Sequence, residues 1–236
     1  MDNSASLKKQ QEKKMTDFYA VSIILSMAGG FFDSYSFLCR DRVFANAQTG
    51  NMVLLAVNVI EQNWFHALLY FCPIFAFMVG ILIAEFLKEK FKDHPKIHWH
   101  QMIVVFEIII VACIGLIPNG KLNTLANILI SFTCSIQYQG FKRIEGKPYA
   151  STMCTGNLRS ATVNFFRFMV SKNKENLYTS GKYFLSIICF IFGALTGAIL
   201  VPQFGVKSIY VTILELIIVL VLLIQGEKIS TRNKQE

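Results

Sequence analysis

Six long apolar runs divide the chain, at roughly 17–38, 66–87, 99–117, 122–140, 181–201 and 206–225. Each approaches the about 20 residues that a helix needs to cross a hydrocarbon core about 30 Å thick. Polar clusters separate them: Arg40-Asp41-Arg42, Lys88 to Pro95, Pro118-Asn119-Gly120, Lys142 to Pro148 and Lys172 to Glu175. Two further segments, 43–63 and 148–170, are less apolar. The pattern predicts an all-α, polytopic membrane helix bundle with polar tails at 1–15 and 227–236.

The pattern also repeats. Thr49-Gly50-Asn51, with Asn58 seven residues on, recurs as Thr155-Gly156-Asn157 with Asn164. Gly80-x-x-x-Ala84 lines up with Gly193-x-x-x-Gly197, and Glu107-Ile108-Ile109-Ile110-Val111 with Glu215-Leu216-Ile217-Ile218-Val219. Three matches in the same order, at offsets of 106, 113 and 108, predict two repeats over 16–118 and 121–226.

Each repeat has three strong runs and one Thr-Gly-Asn segment. If that segment dips into the membrane and returns, there are six spans and the repeats are inverted, 3+3. If it crosses, there are eight spans and parallel repeats, 4+4. Lys and Arg gather in short cytoplasmic loops. Six spans place 19 of the 23 basic residues inside, whereas eight nearly abolish the bias. Six spans are therefore expected, with both tails cytoplasmic.

Composition narrows the class. Hydrophobic residues make up 53% of the chain, charged residues only 16%, and there are 21 Phe, which excludes a soluble or disordered protein. The net charge of +8 fits the membrane bias, and no basic stripe or motif points to nucleic acid. The first run lacks a small-residue cleavage site and reads as an uncleaved span. Six scattered cysteines include no C-x-x-C and read as packing residues. His94, His98 and His100 flank Trp99 at the mouth of a span, an interfacial rather than a metal pattern. No phosphate loop, dinucleotide fingerprint, H-E-x-x-H or nucleophile elbow occurs, so no enzyme, cofactor or metal is expected.

Candidate chemistry lies in two places. Met52 to Ile60, nine residues after Thr-Gly-Asn, would form a half-membrane helix of about 13–14 Å. Thr49 or Asn51, and Thr155 or Asn157, would cap such helices at mid-depth, leaving N–H donors and a partial positive charge there. Close helix packing through Gly is the alternative. Glu107 and Glu215 lie about eight residues into their spans, where a charge costs about 2.5–3.5 kcal/mol and a partner or a proton is favoured. They read either as a proton- or substrate-binding pair or as hydrogen-bonding glue. Asp33 lies in the first span, with Gln137 and Gln139 as its approximate counterparts. Arg159 follows Thr-Gly-Asn in the second repeat only, as an anion site, a counter-ion or a snorkelling side chain. Gly193-x-x-x-Gly197 reads as a close helix contact, within the chain or between copies, so a homo-oligomer is open.

Gly29-Gly30-Phe31-Phe32-Asp33-Ser34-Tyr35-Ser36 and Phe44-Ala45-Asn46-Ala47-Gln48-Thr49-Gly50-Asn51 resemble the YoaK family of uncharacterised bacterial integral membrane proteins. Ser135-Ile136-Gln137 and Thr155-Gly156-Asn157 resemble its second-half pattern, with Tyr138 where the family usually has Asn. The resemblance spans about 17–225 and implies a bacterial inner-membrane location, but no substrate or catalytic residue.

The function expected is a transporter or channel for a small polar or ionic solute, with proton coupling as an option, at the repeat interface. Glu107 and Glu215 would titrate or bind, Asn51 and Asn157 would contact solute, and Asp33 and Arg159 would tune charge. The alternative is a non-transporting membrane scaffold or accessory protein.

Overall fold

The computed structural model describes the backbone of residues 2–91, 99–141, 143–144, 147–148 and 154–232, and side chains within 19–91, 99–141 and 154–226. These residues form eight α-helices: α1 (Asp2–Cys39), α2 (Gln48–Ile60), α3 (Trp64–Phe91), α4 (Trp99–Ile114), α5 (Asn123–Gly140), α6 (Cys154–Ser171), α7 (Lys174–Phe204) and α8 (Tyr210–Arg232). Arg143-Ile144 pairs with Lys147-Pro148 between α5 and α6, and a 3-10 turn (Gly205–Ile209) joins α7 to α8. The six apolar runs are α1, α3, α4, α5, α7 and α8, and the all-α membrane bundle stands. The N-terminal tail is no separate coil, because α1 is already helical at Asp2.

Four stretches are long and apolar enough to cross a membrane: Tyr19–Cys39, Trp64–Phe91, Trp99–Leu116 and Lys174–Gly226, the last holding both α7 and α8. The outward faces of α3 and α7 carry Phe71, Phe75, Leu82, Phe184, Ile188 and Phe192, an apolar surface of the kind a bilayer covers. Helix α5 does not reach that standard of apolarity. Its Asn123, Asn127, Ser131, Thr133, Ser135, Gln137 and Gln139 are all buried, so its polar groups face protein. Helix α1 is also internal, with buried Ser22, Ser26, Asp33 and Ser36, and Arg40 just beyond its end is buried too.

Side chains that meet across helix pairs fix their directions. Tyr19 Oη donates to the carbonyl of Lys182 (3.1 Å), Ser26 meets Ser186 (2.9 Å), and a Cβ on Gly197 would run into Ser34. The numbers rise together, so α1 and α7 are parallel. Ser131 donates to the carbonyl of Pro73 (2.7 Å), Gly80 lies against Phe132 and Ser135, and Gln139 bonds Glu85, so α3 and α5 are parallel too. By contrast, Gln137 donates to the carbonyl of Leu25 (3.1 Å) and Asn127 to that of Arg40 (2.7 Å), so α1 and α5 are antiparallel. Gly115, after α4, packs on the Tyr210 ring at the start of α8, so this pair is antiparallel as well.

The most extensive helix pairings are α1 with α7 and α3 with α5; α6 with α7 and α2 with α3; α1 with α8 and α4 with α5; and α4 with α8. Exchanging α1 with α5, α2 with α6, α3 with α7 and α4 with α8 returns the same set. Glycine opens the tightest crossings: a Cβ on Gly193 would strike the carbonyl of Met27, and one on Gly80 would strike the Ser135 hydroxyl.

Asp41 (φ 64°) and Arg42 (φ 60°), both left-handed, turn the chain back after α1. Helix α2 then starts with Gln48 on Ser131, whose hydroxyl holds Pro73, nine residues into α3. It runs back to the start of α3 through Gln62 (φ 58°) and Asn63. Helix α6 repeats this path: Asn157 bonds Ser186, twelve residues into α7, and the hairpin closes at Lys172 (φ 54°) and Asn173. Helices α2 (13 residues) and α6 (18 residues, longer than the half-membrane helix the sequence suggested) thus each begin partway along the long helix that follows.

Candidate functional site

The start of α2 is assembled by polar side chains from three helices. Asp33 Oδ1 accepts the backbone N–H groups of Asn46 (2.9 Å) and Ala47 (3.2 Å), two of the donors a helix start leaves open. Ala47 is the N-cap residue and has no capping side chain, so Thr49 and Asn51 do not cap α2 as the sequence suggested. They lie within its first turn, and the cap comes from α1. Thr49 is exposed. Asn51 is fully buried: its amide nitrogen donates to Phe44 O (2.5 Å) and Gln48 Oε1 (3.0 Å), and its oxygen accepts from Phe44 N (3.3 Å). Both donor hydrogens are spent on the loop that Asn51 closes. Gln48 passes the chain on to Ala45 O and Ser131 Oγ, both at 2.8 Å.

Asn157 is buried and donates to Ser186 Oγ (3.3 Å), which pairs with Ser26 on α1. Thr155 and Arg159 are exposed on the outer face of α6, and nothing lies within 4 Å of where a Cβ on Gly156 would sit. Arg159 is therefore no counter-ion of the central carboxyls, and Gly156 is not a packing glycine. The contacts of Ser26 with Ser186 and of Ser131 with Pro73 match Ser26 to Ser131, 105 positions apart on α1 and α5, and Pro73 to Ser186, 113 apart on α3 and α7. That register sets Tyr138, rather than Gln137 or Gln139, opposite Asp33.

Arg40, read from the sequence as an outer-loop charge, is fully buried. Its guanidinium donates to Tyr35 Oη (2.8 and 3.2 Å), Asn123 Oδ1 (3.0 Å) and the carbonyls of Ile114 (3.3 Å), Ile117 (2.9 Å) and Pro118 (3.1 Å). Those carbonyls belong to the end of α4 and the turn beyond it, where helix carbonyls lack partners and the dipole favours a cation. Arg40 ties the first half to the start of the second. Its neighbours Asp41 and Arg42 gave no sequence signal that would set it apart.

Glu107, in the middle of α4, is wholly buried, and neither of its carboxyl oxygens has a protein hydrogen-bond partner. Glu215 is half-buried on α8, with Oε2 buried and likewise unpartnered. No hydrogen bond or ion pair joins the two among the described residues. They do not form a shared-proton pair. Helix α4 packs on α5 just before Glu107, Ile103 against Gly140 and Phe106 against the Phe132 ring, and Cys134 lies on α5 between those contacts. Gln137, one turn further along α5, spends its nitrogen on Leu25 and leaves Oε1 buried without a donor. His94 and His98 lie outside the described residues; His100 packs on Trp99 and Phe141. Among the described residues, no group of three or more His, Cys, Asp or Glu could hold a metal ion.

Residues 21–222 match a family described as "Protein of unknown function (DUF1275)". The chain belongs to this family. It is also similar to the UPF0700 transmembrane protein YoaK of Bacillus subtilis (strain 168), at 24% identity over 201 residues, covering 80% of this chain and 87% of that protein. No solved structure matches the chain significantly. The family stretch contains Asp33, both Thr-Gly-Asn turns, Arg40, Glu107 and Glu215. The resemblance read from the sequence and the transmembrane character of the relative therefore agree.

Proposed function

We propose that the protein is a small-solute transporter or channel of the cell membrane, built from two inverted halves with both termini in the cytoplasm and no enzymatic activity. One observation carries this reading. Equivalent helices of the two halves run in opposite directions, and each half contributes a short helix that starts partway along a long one. In a membrane this path makes α1, α3, α4, α5, α7 and α8 the six spans and makes α2 and α6 re-entrant. Non-spanning backbone at such depth is tolerated only where protein or water surrounds it, and broken elements at the repeat interface are where secondary transporters hold their solutes. Glu107 and Glu215 are the candidate binding groups. Proton coupling would run through them.

A scaffold or accessory role is favoured by a different observation. Asp33, Gln48 and Asn51 spend their hydrogen bonds on the fold itself. Asn51 and Asn157 thus hold the re-entrant helices in place on either reading. Solute and proton flux in proteoliposomes, with E107Q and E215Q, separates the two. Normal insertion with flux lost in a variant supports transport. Wild-type protein that moves nothing across a broad solute panel supports the scaffold.

A further inference from the structure

The interior is unbalanced in a way that defines the solute's charge. Glu107 Oε1 and Oε2, Gln137 Oε1, Asn127 Oδ1 and Glu215 Oε2 are buried without a protein donor, and no buried side-chain nitrogen stands in the same position among the described residues. The amide orientations are fixed, because Gln137 and Asn127 donate their nitrogens to the carbonyls of Leu25 and Arg40. Burying an acceptor with nothing to accept is costly, and far more so for a carboxylate. The interior holds no spare positive charge to offset it. Arg40 is the one buried cationic side chain among the described residues, and it is committed to six protein contacts. Arg159 is exposed.

We infer that Glu107, in the middle of α4, which packs on α5 through Ile103 against Gly140 and Phe106 against Phe132, binds a small monovalent cation, with the unpartnered Gln137 amide oxygen of α5 as its neutral ligand. This deepens the transport reading and rests on it for its role, since a cation site at the meeting of the halves would define the substrate or the coupling ion. A carboxylate and an amide oxygen are hard ligands suited to an alkali ion, to ammonium or, in the limit, to a proton. An anion would meet unpaired acceptors and no free donor. Titratable groups on the elements packed around α4 include Cys134 on α5 and Glu215 on α8, with Asp33 on α1, which packs on α8 in turn. Asp33 is already held by two backbone N–H groups, which leaves Glu107 as the acceptor in need.

The test uses the full-length protein in detergent, with thermal unfolding followed in choline chloride and then with sodium, potassium or ammonium added. A ligand bound only by the folded state raises the midpoint saturably, by about several degrees at a hundredfold excess over Kd. The expected result is such a shift with one of these ions, absent in E107Q and unchanged when gluconate replaces chloride. In the proton case no added cation shifts the midpoint. It then depends on pH in the wild type in a way that E107Q abolishes. Identical cation and pH responses in wild type and E107Q, or a saturable shift with chloride, overturn the inference. Should E107Q fail to fold, E107D must weaken the apparent cation affinity by about tenfold or more, and an unchanged affinity overturns it equally. Saturable binding without flux would sink the transport reading and leave the site. Flux of a neutral or anionic solute that E107Q does not alter would do the reverse.

Discussion

Ser26 on α1 and Ser186 on α7 meet hydroxyl to hydroxyl at 2.9 Å, and the equivalent place in the other half is filled by Ser131 of α5 on the carbonyl of Pro73 of α3, at 2.7 Å. Each contact crosses from one half of the chain to the other. Each also anchors a short helix, Asn157 of α6 through Ser186 and Gln48 of α2 through Ser131. The halves are therefore interlocked, and polar seams rather than apolar contacts set where the short helices begin.

Ser131 bridges Gln48 of α2 and Pro73 of α3, whereas Ser26 meets Ser186 of α7 and the carbonyl of Ser22 on its own helix. Interhelical hydrogen bonds in membranes are worth about 0.6 kcal/mol on average and up to about 1.7. S131A is expected to reach the upper end of that range and S26A the lower. Unfolding midpoints of the two variants in detergent check the order, and S26A proving the more damaging would contradict it.

Glycines differ by position. A Cβ at Gly193 meets backbone of α1 that cannot move aside, so G193A is expected to destabilise by about 1–3 kcal/mol. A Cβ at Gly156 meets nothing, and G156A is expected to be neutral or to stabilise by up to about 1 kcal/mol. The same thermal assay reads both. Equal losses would mean that the Thr-Gly-Asn glycine packs closely after all.

Asp33 holds a loop rather than a solute, so its loss has a local signature. D33A removes the acceptor of two backbone N–H groups at about 1–3 kcal/mol. Hydrogen exchange should rise at residues 44–51 and stay unchanged along α7. Exchange spread evenly over the protein would show that Asp33 supports the whole bundle.

Arg40 presents a planar fork to acceptors on several sides, which a lysine ammonium cannot reproduce. R40K is expected to cost about 3 kcal/mol or more, because it leaves buried carbonyls and Asn123 unpaired. R159K, on an exposed face, should leave the midpoint within about 0.5 kcal/mol of wild type. Thermal unfolding of R40K alongside R159K tests the contrast, which fails if the two behave alike.

The all-helical membrane bundle and its apolar helices were legible because lipid demands long apolar runs. Thr49-Gly50-Asn51 also marked the right places, though only Asn51 and Asn157 turn inward. What the sequence hid follows from burial among protein groups. Arg40 looks like any loop charge until the carbonyls of Ile114, Ile117 and Pro118 surround it. Helix α5 looks like a lesser span because its polar face is spent on α1 and α3 rather than on lipid. The capping of α2 by Asp33, fourteen residues before Ala47, is a tertiary contact that no local cap rule reveals.

The inverted arrangement of the halves is the central claim, and the turns at Asn63 and Asn173 test it most directly. Both close the hairpin between a short helix and a long one. In a background with the six cysteines replaced, a single cysteine is placed at one or the other, and intact cells are treated with an impermeant thiol reagent. Inverted halves put the two turns on opposite faces of the membrane, so N63C is labelled and N173C is protected until the membrane is opened. Labelling of both, or protection of both, would put the turns on one face and contradict the account.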